Sequence, residues 1–202
     1  MRSQYRNEAR RMTRCAALVL AIFLCAACVI VAAIPFQVDL QAEYNTVQGG
    51  VTLRDDLGNE NSISDETRVR IAPGETVRVE GGSSLTIEIL EDSGAYADLY
   101  GPAEWTLVSA WREATVIEHM RSAAKTYEVV IEQTTGTATY NFSQANLTPE
   151  DIQLVLRFPD GEFRPRMNCF QATALAGDVP SAVVELPCGA EATPVPTLPP
   201  LQ

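Results

Sequence analysis

An uncharged apolar run near the N-terminus constrains this chain more than any other feature. Residues 15–34 contain no charged side chain, and Pro35 ends the run. Because an α-helix rises about 1.5 Å per residue, such a run can cross a hydrocarbon core about 30 Å thick. The segment before it holds one acid, Glu8, and these arginines: Arg2, Arg6, Arg10, Arg11 and Arg14. Since cationic flanks stay in the cytoplasm, we predict a basic cytoplasmic tail at 1–14, a transmembrane signal anchor at 15–34 and export of the rest.

Two other interpretations of this run stay open. Small residues at 31–33 offer a cleavage site before Ile34, as in a cleaved signal peptide. Cys25 and Cys28, with small residues between them, are similar to a lipoprotein signal, although the usual leucine is missing and apolar residues follow. An uncleaved anchor fits best, because the apolar core of an ordinary signal peptide has only about 7–15 residues. All three place the bulk of the chain outside the cytoplasm, and the anchor makes it a single-pass protein of the cytoplasmic membrane.

Charge is segregated as sharply as hydropathy. The formal net charge is −11, and every acid except Glu8 follows the apolar run, so the exported part is more acidic than the whole chain. Phosphate backbones are bound by clustered lysines and arginines, and we therefore predict no nucleic-acid partner. A soluble, self-repelling surface is the simplest interpretation of the acidity.

Two cysteines, Cys169 and Cys188, lie beyond the apolar run. An oxidising compartment favours their pairing, and closing a loop of about 20 residues is worth roughly 3 kcal/mol in the chain-entropy model. Two cysteines without neighbouring histidines cannot make a zinc site. We therefore predict a structural disulfide between Cys169 and Cys188.

The exported part alternates apolar and polar residues with a period of two. The alternating runs are 36–44, 77–79, 85–89, 127–131, 138–142 and 152–158, and Gly- or Pro-containing turn signals separate them. One apolar face per strand is typical of antiparallel sheets with one wet side. We predict an all-β ectodomain over 35–189, an antiparallel sandwich or roll of short strands, followed by a disordered Pro-rich tail at 190–202. Residues 148–151 predict a turn or a single helical turn.

Evidence for catalysis is thin. His119 is the only histidine, and no Gly-x-Ser-x-Gly motif accompanies it. Adjacent acids at 55–56 and 91–92 are the kind of residue that glycosidases use, but chance explains such pairs in a chain this acidic. The acidic segment 55–61 lacks the ligand spacing of an EF-hand, so a solvated loop is favoured over a calcium site. We predict no enzymatic activity, no cofactor and no metal site.

Trp105 and Trp111 are the candidate contact residues. In an extended strand both fall on one face, with Leu107 and Ser109 between them. Core packing explains such a pair, while exposure would make an aromatic platform for a glycan or a partner protein. Burial of both rings would remove the platform.

The order of turns and strands gives a family resemblance. Residues 71–87 (IAPGETVRVEGGSSLTI) form a Gly-bounded hairpin pattern with serines before an apolar strand. An acidic Ser-Gly turn follows at 90–94 (LEDSG), then a strand with a Gly-Pro step at 99–107 (LYGPAEWTL), and strand, Gly and strand at 127–140. In this order, over about 49–142, the chain resembles the FecR-like extracytoplasmic domain of bacterial transmembrane signalling proteins.

The resemblance implies a sensor-like fold in the cell envelope. Family members that regulate sigma factors carry a cytoplasmic helical region before the membrane, whereas here residues 1–14 are too few to build a core. We therefore predict a membrane-anchored binding or sensory module that contacts another envelope protein or a wall polymer. The alternative is a structural envelope component without ligand or signalling role, and a hydrolase using paired carboxylates is a remote third.

The anchor and its orientation can be tested by fractionation and protease treatment of intact cells. We expect the full chain in the membrane fraction and its C-terminal bulk to be digested from outside, because the arginines hold the N-terminus inside. A free soluble ectodomain in the medium would contradict the anchor, and digestion only after lysis would contradict the orientation.

Overall fold

A computed structural model describes residues 34–64, 70–90, 93–116, 126–175 and 179–188. The elements of this part are β-strands: β1 (Phe36–Asp39), β2 (Ala42–Gln48), β3 (Val51–Arg54), β4 (Glu60–Ser62), β5 (Arg70–Ile71), β6 (Thr76–Val79), β7 (Ser84–Glu88), β8 (Tyr96–Ala114), β9 (Thr126–Asn141), β10 (Leu154–Phe158), β11 (Gly161–Phe163), β12 (Cys169–Ala174) and β13 (Ala182–Glu185). The prediction of a sheet-rich fold over residues 35–189 is confirmed for the described residues.

The predicted anchor and tail are not covered. Residues 15–33 and 189–202 lie outside the described residues, as does His119. Among the residues that the structure describes, no helix has the length and apolarity needed to span a membrane. The anchor therefore stays a prediction.

The chain separates into two compact units. The smaller comprises residues 1–37 and 113–125, of which 34–37 and 113–116 are described. There Ile34 and Phe36 are exposed, whereas Ala114 is buried. The larger unit comprises residues 38–112 and 126–202, and the features discussed below lie within it.

The larger unit is organised around long ribbons that are bent in the middle. Strands β2 and β3 run on from each other with Gly49 and Gly50 between them, and β6 and β7 do the same across residues 80–83. β2 pairs antiparallel with β7, and β3 pairs antiparallel with β6. The β6 and β7 ribbon in turn pairs antiparallel with one long strand, β8. Alternation along these strands buries apolar side chains, among them Val77, Leu85 and Leu99.

The bends of neighbouring ribbons lie at the same level. There the backbones of adjacent strands come so close together that no side chain fits between them. A Cβ on Gly101 would collide with the backbone carbonyl of Glu80, and one on Gly136 would collide with the carbonyl of Pro102. The Glu80 N–H donates to the Gly50 carbonyl over 2.9 Å, so Gly50, Glu80, Gly101 and Gly136 form a row across adjacent ribbons. We call this row the glycine corner. Glycine in a strand interior commonly marks such a bend or close approach.

The glycine corner shows that the predicted turns at Gly101 and Gly136 are wrong. As turn signals, Gly101-Pro102 and Gly136 predict turns between short strands, yet both glycines lie inside β8 and β9, which have 19 and 16 residues. Gly136 adopts φ +89°, a conformation that favours glycine. The positions of β9 with 0% exposure change from odd to even numbers across it, Ile131 lying before it and Tyr140 after it. A local irregularity of this kind re-aims one strand and removes the need for a turn.

Strand β9 joins the long ribbons to the C-terminal part of the chain. Glu128 lies beside Trp111 and Gly136 beside Ala103, so β9 runs antiparallel to β8. Its first half pairs with β10 in parallel, and its second half pairs with β12 antiparallel. The expectation of an antiparallel sheet therefore fails at the β9 and β10 pair. This pair is connected by the predicted turn at 148–151, which is present as a single hydrogen-bonded turn.

The glycine corner gives a matched stability test. Gly136→Ala and Gly58→Ala both place a side chain at positive φ, which costs about 1–2 kcal/mol, but only Gly136 has backbone where the Cβ would stand. We expect urea denaturation to show a loss of about 3 kcal/mol or more in the free energy of unfolding for Gly136→Ala, and about 1 kcal/mol for Gly58→Ala. Equal losses would show that the corner accommodates a Cβ.

Candidate functional site

The structure separates the two predicted contact residues. Trp105 has 0% of its surface exposed, and its Nε1–H donates to the Tyr140 hydroxyl over 3.3 Å. Tyr140 stacks on Phe170 with ring centroids 4.8 Å apart and planes 13° from parallel. Burial raises the pKa of the Tyr140 hydroxyl far above its ordinary value, against the smaller opposing effect of the hydrogen bond from Trp105. Trp105 is therefore a core residue, and its assignment as a partner contact is corrected.

Trp111 lies in different surroundings. It is partly exposed, and its Nε1–H donates to Glu128 Oε1 over 3.3 Å. Trp105 and Leu107 are buried, but the next buried positions of β8 are Ala110 and Ala114, so the alternation shifts by one residue. The two tryptophans consequently do not share one buried face, and no aromatic platform forms from them. Trp111 alone remains a candidate contact.

The predicted cysteine pair is present at disulfide distance. Cys169 and Cys188 have an S–S separation of 2.06 Å and Cα atoms 5.3 Å apart. Cys169 begins β12, and Cys188 follows β13 by three residues. The Leu186 N–H donates to the Cys169 carbonyl over 2.9 Å. The bond therefore fixes the end of β13 against the start of β12.

The described residues do not gather side chains that could hold a metal ion. In the parts of the chain that the structure describes, no three His, Cys, Asp or Glu side chains are placed together so that they could ligate a metal ion. In the acidic loop after β3, Asp55 accepts hydrogen bonds from the Asn59 side chain, the Asn59 N–H and the Leu57 N–H, at 2.8, 2.8 and 3.0 Å. These bonds lower the pKa of Asp55, with the Asn59 side chain contributing most. The Asp55 carboxylate therefore stabilises the conformation of its own loop.

Three exposed apolar side chains lie on the hairpin of β12 and β13. Val184 is 57% exposed, Val179 is 51% exposed and Leu175 is 44% exposed. Within the described residues β13 pairs with β12 alone, so its other side is an open strand edge. We call strand β13, Ala182–Glu185, the β13 edge. Open edges of this kind are templates for pairing with another chain unless something blocks them.

The alternation of hydrogen bonds along β13 identifies which backbone N–H and C=O groups face away from β12. In an antiparallel pair, residues alternate between those bonded to the neighbouring strand and those directed away from it. Because Leu186 bonds to Cys169, Val184 opposite Gln171 also bonds to β12. The N–H and C=O groups of Val183 and Glu185 consequently point to the open side.

The start of the β13 edge is held by a second contact. Asp160 Oδ2 accepts a hydrogen bond from the Ser181 N–H over 2.8 Å. Interaction with the Ser181 side chain, and then with its backbone N–H, lowers the pKa of Asp160. A carboxyl group whose folded pKa is depressed contributes its stability above its unfolded pKa and loses it as the pH falls through the folded pKa. At neutral pH the edge is therefore fixed at both ends.

Sequence reasoning missed the β13 edge. Residues 182–184 are only Ala-Val-Val between Pro180 and Pro187, a run too short to show alternation. The nearby Cys188 was the available signal, because the predicted disulfide required residues 169–188 to return to the folded domain.

Two substitutions separate the roles of the tryptophans. Trp105→Ala is expected to lower the free energy of unfolding by about 3–5 kcal/mol, since it empties a fully buried site and leaves Tyr140 without its donor. Trp111→Ala is expected to cost about 1 kcal/mol, because the ring is partly exposed and loses one hydrogen bond. Urea denaturation of both variants measures the difference. A Trp105→Ala protein as stable as Trp111→Ala would contradict the assignment of Trp105 to the core.

No family model, curated protein or solved structure matches this chain.

Proposed function

We propose that this protein is a membrane-anchored, extracytoplasmic binding module of a bacterial cell envelope, without catalytic activity. Residues 15–34 would anchor it, with the N-terminus inside and the β domain outside the cytoplasmic membrane. The FecR-like order of motifs over about 49–142 is part of this proposal and favours a sensory role.

The β13 edge is the observation that carries the proposal. It combines a row of outward N–H and C=O groups with an exposed apolar side chain, Val184, and it is fixed at both ends by Asp160 and by the disulfide. Recognition by strand addition uses this combination, since main-chain bonds give affinity and alternate side chains give specificity. A preformed edge also avoids the entropic cost of ordering a loop on binding.

The negative charge of this chain restricts which kind of partner can pair with the β13 edge. The chain carries −11 and exposes Glu185 on the edge itself, so a second copy brought alongside would meet like charge. The fitting occupant is an extended segment of another envelope protein, with alternating apolar residues and basic residues near its end. Such a segment would pair with Val183 and Glu185 and place an apolar side chain against Val184.

A structural component without a partner is the alternative. Edges with no binding role are usually blunted by a short strand, by charge, by proline or by a covering loop, and β13 has only four residues and one charge, Glu185. Pro180 and Pro187 flank β13 but do not lie within it, so among the described residues the outward N–H and C=O groups of Val183 and Glu185 stay available, which favours strand addition.

Strand addition can be tested by photo-crosslinking in intact cells. A photoreactive amino acid at Val184 is expected to capture one defined segment of another envelope protein, identified by mass spectrometry of the linked peptides. Glu185→Pro, which removes an outward N–H, is expected to reduce this crosslink tenfold or more, while Glu185→Gln, which keeps that N–H, changes it about twofold.

The same samples show whether both variants are folded and whether a different crosslinking result occurs. Both variants should retain the Cys169–Cys188 disulfide and their melting temperature, because Glu185 is exposed and its N–H does not serve β12. Crosslinks to a second copy of the chain would replace the proposed partner by self-association. Equal crosslinks in both variants, or none, would contradict strand addition and favour the structural alternative. Turnover of a glycan or peptide that is abolished by changing one acid would overturn the binding proposal altogether.

A further inference from the structure

A shallow pocket lies between the turn before β10 and the segment after β11. Its volume is about 200 Å³, and its walls are formed by Pro149, Glu150, Gln153, Leu154, Arg164, Pro165 and Arg166. Leu154 is 1% exposed and Pro165 is buried, so apolar groups form part of its wall. The four polar side chains stand on residues that are exposed. The pocket therefore combines an apolar surface with a polar rim.

Two guanidinium groups on this rim are brought to one side by the backbone. Arg164 and Arg166 flank Pro165, and alternate residues of an extended segment point the same way. Proline also holds the preceding residue in an extended conformation. The burial order, exposed at Arg164, buried at Pro165 and exposed at Arg166, agrees with this arrangement.

These arginines differ from the others in their partners. Arg54 and Arg78 share Glu104 at 3.4 and 3.3 Å, and Arg157 bonds Glu162 over 2.8 Å. Arg164 alone among the arginines of the described residues has no ion pair or hydrogen bond within them. A cation that has no partner among the described residues of so acidic a protein is open to an external anion.

Arg166 is only loosely held. Its Nε lies 3.6 Å from Glu150 Oε1, and the two side chains are 88% and 65% exposed. Exposed pairs of this geometry contribute little, and a guanidinium has further donors for a second acceptor. Glu150 also places one negative charge on the rim, which disfavours a doubly charged ligand more than a singly charged one.

The backbone of the turn adds an independent observation. The Leu154 N–H donates to the Pro149 carbonyl over 2.9 Å, and the Gln153 N–H donates to the Glu150 carbonyl over 3.2 Å. This bonding ends a helical turn with a residue at positive φ, a position that glycine usually occupies. Here it is Gln153, with φ 45°. The side-chain amide is thus kept at the pocket rim although glycine would fit the backbone better.

From these contacts we infer a binding site for a small organic monocarboxylate at Arg164, Arg166 and Gln153. The guanidinium of Arg164 binds the carboxylate in a bidentate manner, Arg166 and the Gln153 amide donate to its oxygens, and the carbon stem packs against Leu154 and Pro165. Amino acids and sugar acids belong to this ligand class. This site does not depend on the β13 edge or on the proposed partner.

Saturation-transfer NMR on the full chain in detergent micelles tests the site, with sodium propionate as the probe. We expect transfer to the propionate protons in the unchanged protein and an affinity about tenfold lower in Arg164→Gln, because a charge-assisted pair is lost. Arg157→Gln is the matched control, since Arg157 is bonded to Glu162 and does not line the pocket. Its affinity for propionate should stay unchanged.

A further variant separates binding from folding. Gln153→Gly is expected to raise the melting temperature by about 2 °C, because glycine accepts positive φ, and to weaken propionate binding severalfold. A merely structural Gln153 would leave propionate binding unchanged in this variant.

Three results would overturn the inference: no transfer to propionate, equal transfer in Arg164→Gln and Arg157→Gln, or unchanged binding in Gln153→Gly. Displacement of propionate by inorganic phosphate at far lower concentration than by chloride, at equal ionic strength, would replace the carboxylate by a phosphate ligand.

Discussion

The close approach of backbones at the glycine corner is the constraint on which the rest of the larger unit depends. Gly101 lies against the carbonyl of Glu80, and Gly136 lies against Pro102 and Ala103, at the level where the ribbons bend. Long flat strands cannot fold back over their own side chains, so bending at one level lets the two halves of each ribbon contribute to one core. The buried side chains of both halves, such as Val77 and Leu85, belong to the same cluster.

The bend also determines how the C-terminal part is attached. The first half of β9 pairs with β10, and its second half, which begins at the bend at Gly136, pairs with β12. Gln133, which is fully buried, donates its amide to the carbonyls of Gly136 and Ala172 over 2.8 and 3.2 Å, and this stabilises the junction. The hairpin of β12 and β13 is thereby held on the core through β12, with its outer strand left at the surface.

Both proposed binding features arise in this attached part. The β13 edge follows from a hairpin that ends the sheet, and its ends are fixed by covalent and hydrogen bonds to neighbouring segments. The proposed carboxylate site lies at the connection between β9 and β10, which pair in parallel. The chain must turn before it enters β10, and Gln153 adopts positive φ in this turn. Strand order thus creates surfaces that no local motif encodes.

The sequence by itself determined the period of the strands, the sheet-rich class and the pairing of Cys169 with Cys188. These features depend on local alternation and on the presence of only two cysteines beyond residue 34, both of which can be read along the chain. Tertiary structure alone decided that Gly101 and Gly136 bend strands where turns were expected, because a glycine is read as a bend only when the backbone that approaches it is known. It also decided that Trp105 is buried and Trp111 partly exposed: one residue of shift in β8 reverses which face is inward, and this shift depends on neighbouring strands that the sequence does not reveal.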